Sequence, residues 1–269
     1  MEKERTIIMK KLLSIMFAAV LVLSFAACGA KNEAGSNKFI MGIDPEYPPF
    51  SYLGDDGNYT GFDVEICKAA CEKLGYEFEV FEVNWDEKLV QLDAKECDCV
   101  WSGMTILDSM KEEGYVISAP YFDNSQVLLV KEGSGITSSK DLAGKIVAVQ
   151  LGTSGEALLN DELSDLSATF ESVLTCDSFL KCFTELDGGA ADAVFVDYPV
   201  AASYVSEHAG FTILDEELGG EQYGIAFRSG DEELCKKIEG AVAELVKDGT
   251  YAKIAAKYPD IVDSLVFLK

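Results

Sequence analysis

The chain has 269 residues, of which 22 are basic and 47 acidic, so its formal net charge is −25. Nucleic acids and anionic membrane surfaces would repel such a surface, which excludes both as electrostatic partners. The one histidine, His208, and the lack of any C-x-x-C spacing argue against a metal centre.

The N-terminal segment is typical of an export and lipid-attachment signal. Lys10 and Lys11 precede a 14-residue apolar run, Leu12–Phe25, which is short for a membrane span and suits a signal peptide. The run ends in Ala-Ala-Cys-Gly, which resembles a bacterial lipobox. We therefore predict a signal peptide over residues 1–27, a lipid on Cys28 and a flexible tether over 28–38. A plain secretory signal with a chance cysteine is the alternative, and either Met1 or Met9 can be the start.

Removal of this signal would make the protein more acidic. Residues 1–27 contain four basic and two acidic residues, so 18 basic and 45 acidic residues would remain, with a net charge of −27. The lipid would then hold the protein at the membrane without electrostatic help. A solvated acidic surface is the simplest explanation, and it leaves room for attraction of cationic solutes.

Seven cysteines follow the signal: Cys67, Cys71, Cys97, Cys99, Cys176, Cys182 and Cys235. An odd number cannot all pair within the chain. The first two lie four apart on the apolar face of a predicted helix and the next two alternate on a predicted strand, so we predict these four as small core residues. A structural disulfide is the alternative, with Cys176–Cys182 the least improbable pair.

Short apolar runs alternate with amphipathic stretches, which predicts an α/β fold. Roughly 230 residues follow the tether, enough for one large domain or two small ones, and Ser125 begins a second unit. The predicted strands are Lys38–Ile43, Tyr76–Val83, Cys97–Trp101, Ser125–Lys131, Lys145–Gln150, Asp192–Val196 and Glu221–Arg228. Three helices are predicted over Asp86–Ala94, Glu232–Lys247 and Thr250–Tyr258. A further helix is predicted to be capped by Asp63, and one more follows each of the strands that end at Gln150 and Val196.

The segment after the strand ending at Gln150 predicts a helix start. Thr153 and Glu156 fit the capping-box spacing S/T-x-x-E. Backbone N–H groups at such a start carry partial positive charge and would attract a carboxylate. A helix start that serves only the fold is the alternative.

Asp197 follows the apolar strand Ala193–Val196 and precedes Tyr198-Pro199. Ligands of open α/β sheets usually lie at the carboxyl ends of the strands, where a carboxylate can accept hydrogen bonds from an ammonium group. An acidic helix cap is the competing explanation. Four aromatic residues also lie near predicted strand ends or loops: Tyr47, Phe50, Trp85 and Trp101. For Phe50 and Trp101 we favour a place in the core.

Nine motifs appear in a fixed order: Gly42–Phe50, Gly61–Asp63, Asn84–Asp86, Trp101–Ile106, Ala119–Tyr121, Gln150–Glu156, Asp197–Ala201, Tyr223–Ala226 and Asp248–Tyr251. Each alone is weak, but together, from about Lys38 to Tyr258, they resemble the family 3 extracellular solute-binding proteins, which deliver polar amino acids to ABC importers. The resemblance implies a two-lobed periplasmic-binding-protein-like fold of type II. Two hinge strands would cross near Asp123–Gln126 and Leu218–Gln222. Lobe 1 would comprise 39–124 and 222–269, and lobe 2 would comprise 125–221.

The resemblance also implies the ligand-binding residues: Asp44, Tyr47, Trp85, Ser102, Gly103, Thr105, Thr153, Ser154 and Asp197. Asp197 would bind the α-ammonium of the solute, and Thr153 with Ser154 would form the carboxylate site. Tyr47 and Trp85 would be aromatic walls around the side chain. Asp44 matches the acid that meets the distal cation in members that prefer basic amino acids.

The chain departs from the family pattern between Thr105 and Ser118. Members usually carry an arginine five residues after the threonine, as a bidentate clamp on the α-carboxylate, and here that position is Met110. Lys111 is next and would provide a less specific, single-point substitute. If neither residue reaches the pocket, an amine, a diamine or a modified amino acid becomes the better ligand.

The expected function is that of an extracytoplasmic solute-binding lipoprotein of an ABC importer. It would capture a small polar amino acid or a cationic amino-acid-like solute, and the bound solute would favour closure by contacting both lobes. The implied partners are the solute, an ABC permease complex and the membrane through the lipid anchor. We expect a monomer without cofactor, metal or nucleic acid.

Three alternatives stay open. The ligand would be a carboxylate-free amine, the loaded protein would dock on a sensory receptor, or the chain would be a dehydratase-like enzyme with Glu46 or Asp44 as general acid. Against catalysis, the sequence has one histidine, no metal cluster and no nucleophile–base pair.

Overall fold

The computed structural model describes residues 37–269, so Cys28 and the predicted signal peptide lie outside the described residues. The strands are β1 Lys38–Ile43, β2 Glu46–Tyr47, β3 Ser51–Leu53, β4 Tyr59–Thr60, β5 Glu77–Glu82, β6 Cys99–Val100, β7 Val116–Ile117, β8 Phe122–Lys131, β9 Ile146–Gln150, β10 Ser172–Cys176, β11 Ala193–Asp197, β12 Phe211–Ile213, β13 Gly219–Tyr223 and β14 Ala226–Phe227. The α-helices are α1 Phe62–Leu74, α2 Lys88–Asp93, α3 Asp108–Glu112, α4 Ser154–Asn160, α5 Ser164–Ser167, α6 Phe179–Gly188, α7 Tyr198–Glu207, α8 Glu232–Asp248 and α9 Thr250–Ala255. Short 3₁₀ turns occupy Trp85–Glu87, Ser139–Leu142, Pro259–Ser264 and Val266–Leu268.

The first sheet has the strand order β5-β1-β6-β14-β7. β1 runs parallel to β5 and β6, whereas β14 runs antiparallel to β6 and β7. In β1 the side chains of Phe39, Met41 and Ile43 are buried, and the buried faces of α1 and α8 pack into the same core. Because alternate side chains are buried in this way, the first and the last residue of β1 were both predicted correctly.

The second sheet has the order β10-β9-β11-β8-β12, with β13 also paired to β8. β9, β10 and β11 are parallel, and β8 is antiparallel to β11, β12 and β13. The central strands are buried on both faces, as their continuous apolar sequences require. A smaller sheet, β2-β3-β4, follows β1 and carries Tyr47.

Two strands connect the sheets and lie side by side. β8 and β13 pair antiparallel from Gly219 opposite Gln126 to Tyr223 opposite Phe122. The rings of Phe122 and Tyr223 stack at 5.3 Å between centroids. The prediction of a two-lobed α/β fold with two hinge strands is confirmed, while the residue limits of each lobe stay a prediction.

Two predicted elements were wrong. The single strand Glu221–Arg228 is two strands, β13 and β14, that belong to different sheets, because the chain leaves one sheet at Tyr223 and enters the other at Ala226. Between them the Gly224 N–H donates to the Met104 carbonyl at 2.9 Å. Asp63 does not cap α1, since Gly61 holds the N-cap position and the Asp63 side chain turns inward instead.

All seven cysteines within the described residues are buried and free. The prediction that they serve as small core residues is therefore confirmed for Cys67, Cys71, Cys97 and Cys99. None of the helices of residues 37–269 combines the length and the apolar character that a membrane span requires.

Candidate functional site

Polar residues from both sheets meet at the ends of their strands. Asp44 follows β1 and Ser102 follows β6, whereas Gln150 ends β9 and Asp197 ends β11. All four side chains are buried. Buried polar groups require partners, and one of these hydrogen bonds, between Asp44 and Gln150, joins the two sheets.

Asp44 is bonded across the two sheets. Its Oδ2 accepts a hydrogen bond from Gln150 Nε2 at 2.7 Å, and its backbone N–H donates to Ser102 Oγ at 3.1 Å. Burial raises the pKa of Asp44, although the hydrogen bond from Gln150 opposes that increase. The carboxylate therefore lies where a nearby cation would stabilise it.

Tyr47 stands among other aromatic rings. Its ring is stacked with Phe50 at 5.6 Å and with Trp85 at 6.5 Å between centroids, and the second pair is parallel to within 10°. Gly103 lies against it with a φ of 56°, and a Cβ atom there would lie 2.3 Å from Tyr47 Cε1. Only glycine fits at this position. The predicted aromatic walls, Tyr47 and Trp85, thus face each other beside Gly103.

Asp197 is the most heavily bonded carboxylate of the site. Its Oδ1 accepts hydrogen bonds from Asn124 Nδ2 at 2.7 Å, Gln126 Nε2 at 2.8 Å and the Tyr223 hydroxyl at 2.8 Å. Glu221 Oε1 accepts from the same two amides, at 2.6 and 3.0 Å. Burial, and then the neighbouring Glu221 carboxylate, raise the pKa of Asp197 well above its ordinary range. The buried Asp197 and the half-buried Glu221 therefore share the same two amide donors.

Tyr223 connects this acid pair to the aromatic walls, because its hydroxyl lies 2.8 Å from the Tyr47 hydroxyl. Tyr47, one of the predicted walls, and Asp197, the predicted ammonium partner, therefore belong to one hydrogen-bonded network.

The helix start after β9 also contacts the first sheet. Thr105 Oγ1 donates to Ser154 Oγ at 3.2 Å. Thr153 caps α4 as predicted, since its Oγ1 accepts from the Glu156 N–H at 3.2 Å. The Glu156 carboxylate, however, accepts from the N–H of Gly152 at 2.8 Å and not from that of Thr153. Thr105 and Ser154 thus lie at the contact between the two sheets, and Thr153 caps the helix that begins beside them.

The structure does not bring Lys111 to this site. Its side chain is 53% exposed on α3, and its ammonium lies 3.3 Å from Asp108. Met110, at the position of the family arginine, is buried among apolar side chains that include Met104 and Val100. Among residues 37–269 the arginine Arg228 lies elsewhere, where its side chain pairs with Asp98 and Asp231.

Six residues of the network were not predicted as site residues from the sequence: Lys88, Asn124, Gln126, Gln150, Glu221 and Tyr223. Gln150 and Tyr223 stand inside quoted motifs, so their place at strand ends was the available signal. Lys88 Nζ lies 4.8 Å from the centroid of the Trp85 ring, within a predicted helix that showed no sign of a site.

Asp63 is bonded to Gly103 of the site, and its burial predicts that the stability of the protein depends on pH. Its Oδ2 accepts from the Gly103 N–H at 2.9 Å and from the Tyr121 hydroxyl at 2.6 Å, and burial raises its pKa from 3.8 to about 7. Between these two pH values only the folded state keeps the proton. The contribution of Asp63 to stability is therefore complete below pH 3.8 and is lost as the pH rises to about 7.

In the wild type, ionisation of Asp63 should lower the free energy of unfolding by up to about 1.4 kcal/mol per pH unit across that range. Asp63→Asn cannot ionise, so we expect this decrease to be absent from the variant. Urea unfolding of the ligand-free protein at pH 4, 5, 6 and 7 measures the slope. Asp165→Asn, at an exposed position, is the control and should keep the wild-type slope. Equal slopes for wild type and Asp63→Asn would contradict the assignment.

Comparison with known proteins identifies a family of similar chains. A profile of the bacterial extracellular solute-binding proteins, family 3, matches residues 39–260. The L-cystine-binding protein TcyJ of Escherichia coli K12 is 34% identical over 247 residues, which cover 90% of this chain and 91% of the relative. The arginine-binding extracellular protein ArtP of Bacillus subtilis is 34% identical over 256 residues, 93% of this chain and 98% of the relative.

Solved structures give the same result. A substrate-binding protein of an ABC uptake transporter from Streptococcus pneumoniae, with bound histidine, has a TM-score of 0.79 and 28% identity, covering 82% of this chain and 92% of that one. An ancestral arginine-binding protein bound to arginine has a TM-score of 0.76 and 38% identity, covering 82% and 98%. These matches confirm the resemblance drawn from the nine motifs: the chain belongs to the family 3 bacterial extracellular solute-binding proteins.

Proposed function

We propose that this protein captures an amino acid or a close derivative outside the cytoplasm and delivers it to an ABC permease. The ammonium group of the solute would lie against Asp197, and its side chain would lie between Tyr47 and Trp85. Relatives that are named for binding cystine, arginine and histidine support an amino-acid ligand.

The observation that carries the proposal is the set of hydrogen-bond partners around the buried Asp197 carboxyl group. Within residues 37–269 this buried carboxylate takes part in no ion pair, and its three donors are neutral amide and hydroxyl groups. Glu221 adds a second negative charge beside it. A buried, unpaired charge is costly, so a cation supplied by the solute would stabilise the pair.

A carboxylate-free amine is the second candidate, and the position of Met110 favours it. The clamp arginine of the family is replaced here by a buried apolar side chain, and Lys111 pairs with Asp108 on the surface. An amine would need the acids of the site and no clamp. For an amino acid, the hydroxyl groups of Thr105 and Ser154 would have to receive the α-carboxylate.

Titration of the ligand-stripped protein separates the two candidates. Isothermal calorimetry and thermal shift would compare common amino acids with amines of the same skeleton, for example arginine with agmatine and histidine with histamine. Bound ligand raises the melting temperature by mass action. Tighter binding of the amino acid supports the main proposal, tighter binding of the amine supports the second, and binding of neither class contradicts both.

We also propose that the protein is exported and held at the membrane by a lipid on Cys28. The lipobox-like sequence before this cysteine supports the proposal. Metabolic labelling with a fatty acid, compared between the wild type and Cys28→Ser, tests it. A sensory role of the same loaded form would differ in the partner, which a pull-down of the permease would reveal.

A further inference from the structure

Lys88 brings a cation of the protein itself to the site. It is the first residue of α2 and follows the 3₁₀ turn that holds Trp85. Its ammonium donates to the Trp85 carbonyl at 2.9 Å and to the Gly152 carbonyl at 2.7 Å. Gly152 lies in the turn after β9, so the lysine joins segments from the two sheets. The side chain is fixed at the site by these bonds.

The surroundings of this ammonium are those predicted for a cation of the solute. Nζ lies 4.8 Å from the centroid of the Trp85 ring, and that ring is stacked with Tyr47. An aromatic face and a nearby carboxylate together stabilise a cation. Burial lowers the pKa of Lys88 to about 8, whereas the carboxylates of Asp86, Asp44 and Glu156 oppose that decrease. The group is therefore still largely charged at neutral pH.

We infer that Lys88 takes the place of the distal cation of a basic amino acid, and that it selects solutes whose side chain ends in a neutral polar or an anionic group. The inference rests on the proposed function and narrows its ligand class. Asp44, expected from the family pattern to meet a cationic side chain, already has the Lys88 ammonium close enough to lower its pKa slightly, against the larger effect of burial.

Two physical effects favour such solutes. A guanidinium or ammonium at the end of the side chain would be repelled by Lys88 beside the buried Trp85 and Asp44. An amide or carboxylate oxygen would be attracted instead. An ammonium has three N–H donors, and two are used by the carbonyls of Trp85 and Gly152, so the third can meet an oxygen of the solute.

The test compares three amino acids of similar length with different ends: L-arginine, L-glutamine and L-glutamate. Calorimetric titration of the ligand-stripped wild type should show tighter binding of glutamine or glutamate than of arginine. In Lys88→Met the affinity for arginine, relative to that for glutamine or glutamate, should rise by roughly tenfold or more. Lys88→Arg keeps the charge and should keep the wild-type order. Lys140→Met, at an exposed lysine in the 3₁₀ turn Ser139–Leu142, is the matched control and should leave the ratio unchanged.

The ratio is the decisive measurement, because Lys88 also joins the two sheets and its loss can weaken all three solutes together. Equal weakening with an unchanged ratio would overturn the inference, and so would a wild type that prefers arginine. Either result leaves the proposed function intact, since amino acids would still bind. Should Lys88→Met not fold, Lys88→Gln removes the charge and keeps a polar end. Binding of no amino acid or amine to the folded wild type would instead contradict the proposed function itself.

Discussion

Replacing Asp197 by alanine should weaken solute binding by about 100-fold or more, because the ammonium of the solute would lose its buried partner. Alanine also frees the amides of Asn124 and Gln126, which now donate to the carboxylate. Calorimetry with the tightest wild-type ligand measures the loss. Asp215→Ala, at an exposed position after β12, is the control and should bind like the wild type.

Asp197→Asn separates charge from structure. The asparagine oxygen can accept the same three hydrogen bonds, while the repulsion from Glu221 disappears. We therefore expect the ligand-free Asn variant to melt at or above the wild-type temperature at pH 7 and yet to bind as poorly as the alanine variant. Wild-type affinity in either variant would show that the ammonium does not lie at Asp197.

Gly152→Ala should abolish most binding by a different route. Gly152 has a φ of 73°, and a Cβ atom there would lie 2.6 Å from the backbone Cα of Asp86. The two residues belong to segments of different sheets, so the clash exists only when these segments are in contact. Alanine would hold the lobes apart, and we expect affinity to fall by roughly 30-fold or more, since a contact of this kind costs several times RT.

Gly144→Ala is a close control for this change. Gly144 has a φ of 70°, nearly the same as Gly152, but a Cβ atom there would meet nothing within 4 Å. Both variants should therefore lose a similar, small stability, about 1 kcal/mol, from the left-handed backbone. Only Gly152→Ala should lose binding, and small-angle scattering should show that it no longer contracts when solute is added. Equal affinities in the two variants would contradict the clash.

Much of the fold could be predicted because local patterns determine it. The alternating residues of β1 and the long amphipathic helix α8 were found with nearly correct limits, since each buries one face that the sequence alone reveals. The strand expected over Glu221–Arg228 was wrong for the opposite reason. Its residues look alike along the chain, and only the pairing with β8 on one side and β7 on the other divides it into two strands.

The site was predictable in its main residues and not in their partners. Asp197 and Tyr47 stand in recognisable motifs, but the amides that bond Asp197 come from the start of β8, where the sequence predicted a hinge crossing and no ligand contact. Lys88 could not be found, because a lysine at the start of an amphipathic helix is normally solvated. Its burial depends on contact with Gly152, which is distant in sequence.

The pairing of β8 with β13 also determines how the protein can move. Five residue pairs hold the two connecting strands together, from Gly219 with Gln126 to Tyr223 with Phe122. Two connecting strands that were not paired would let the lobes rotate in several directions. A hydrogen-bonded pair of strands resists shear and bends about one axis. The lobes would then rotate about a single axis. A permease would need to distinguish an open from a closed form along that one path of rotation.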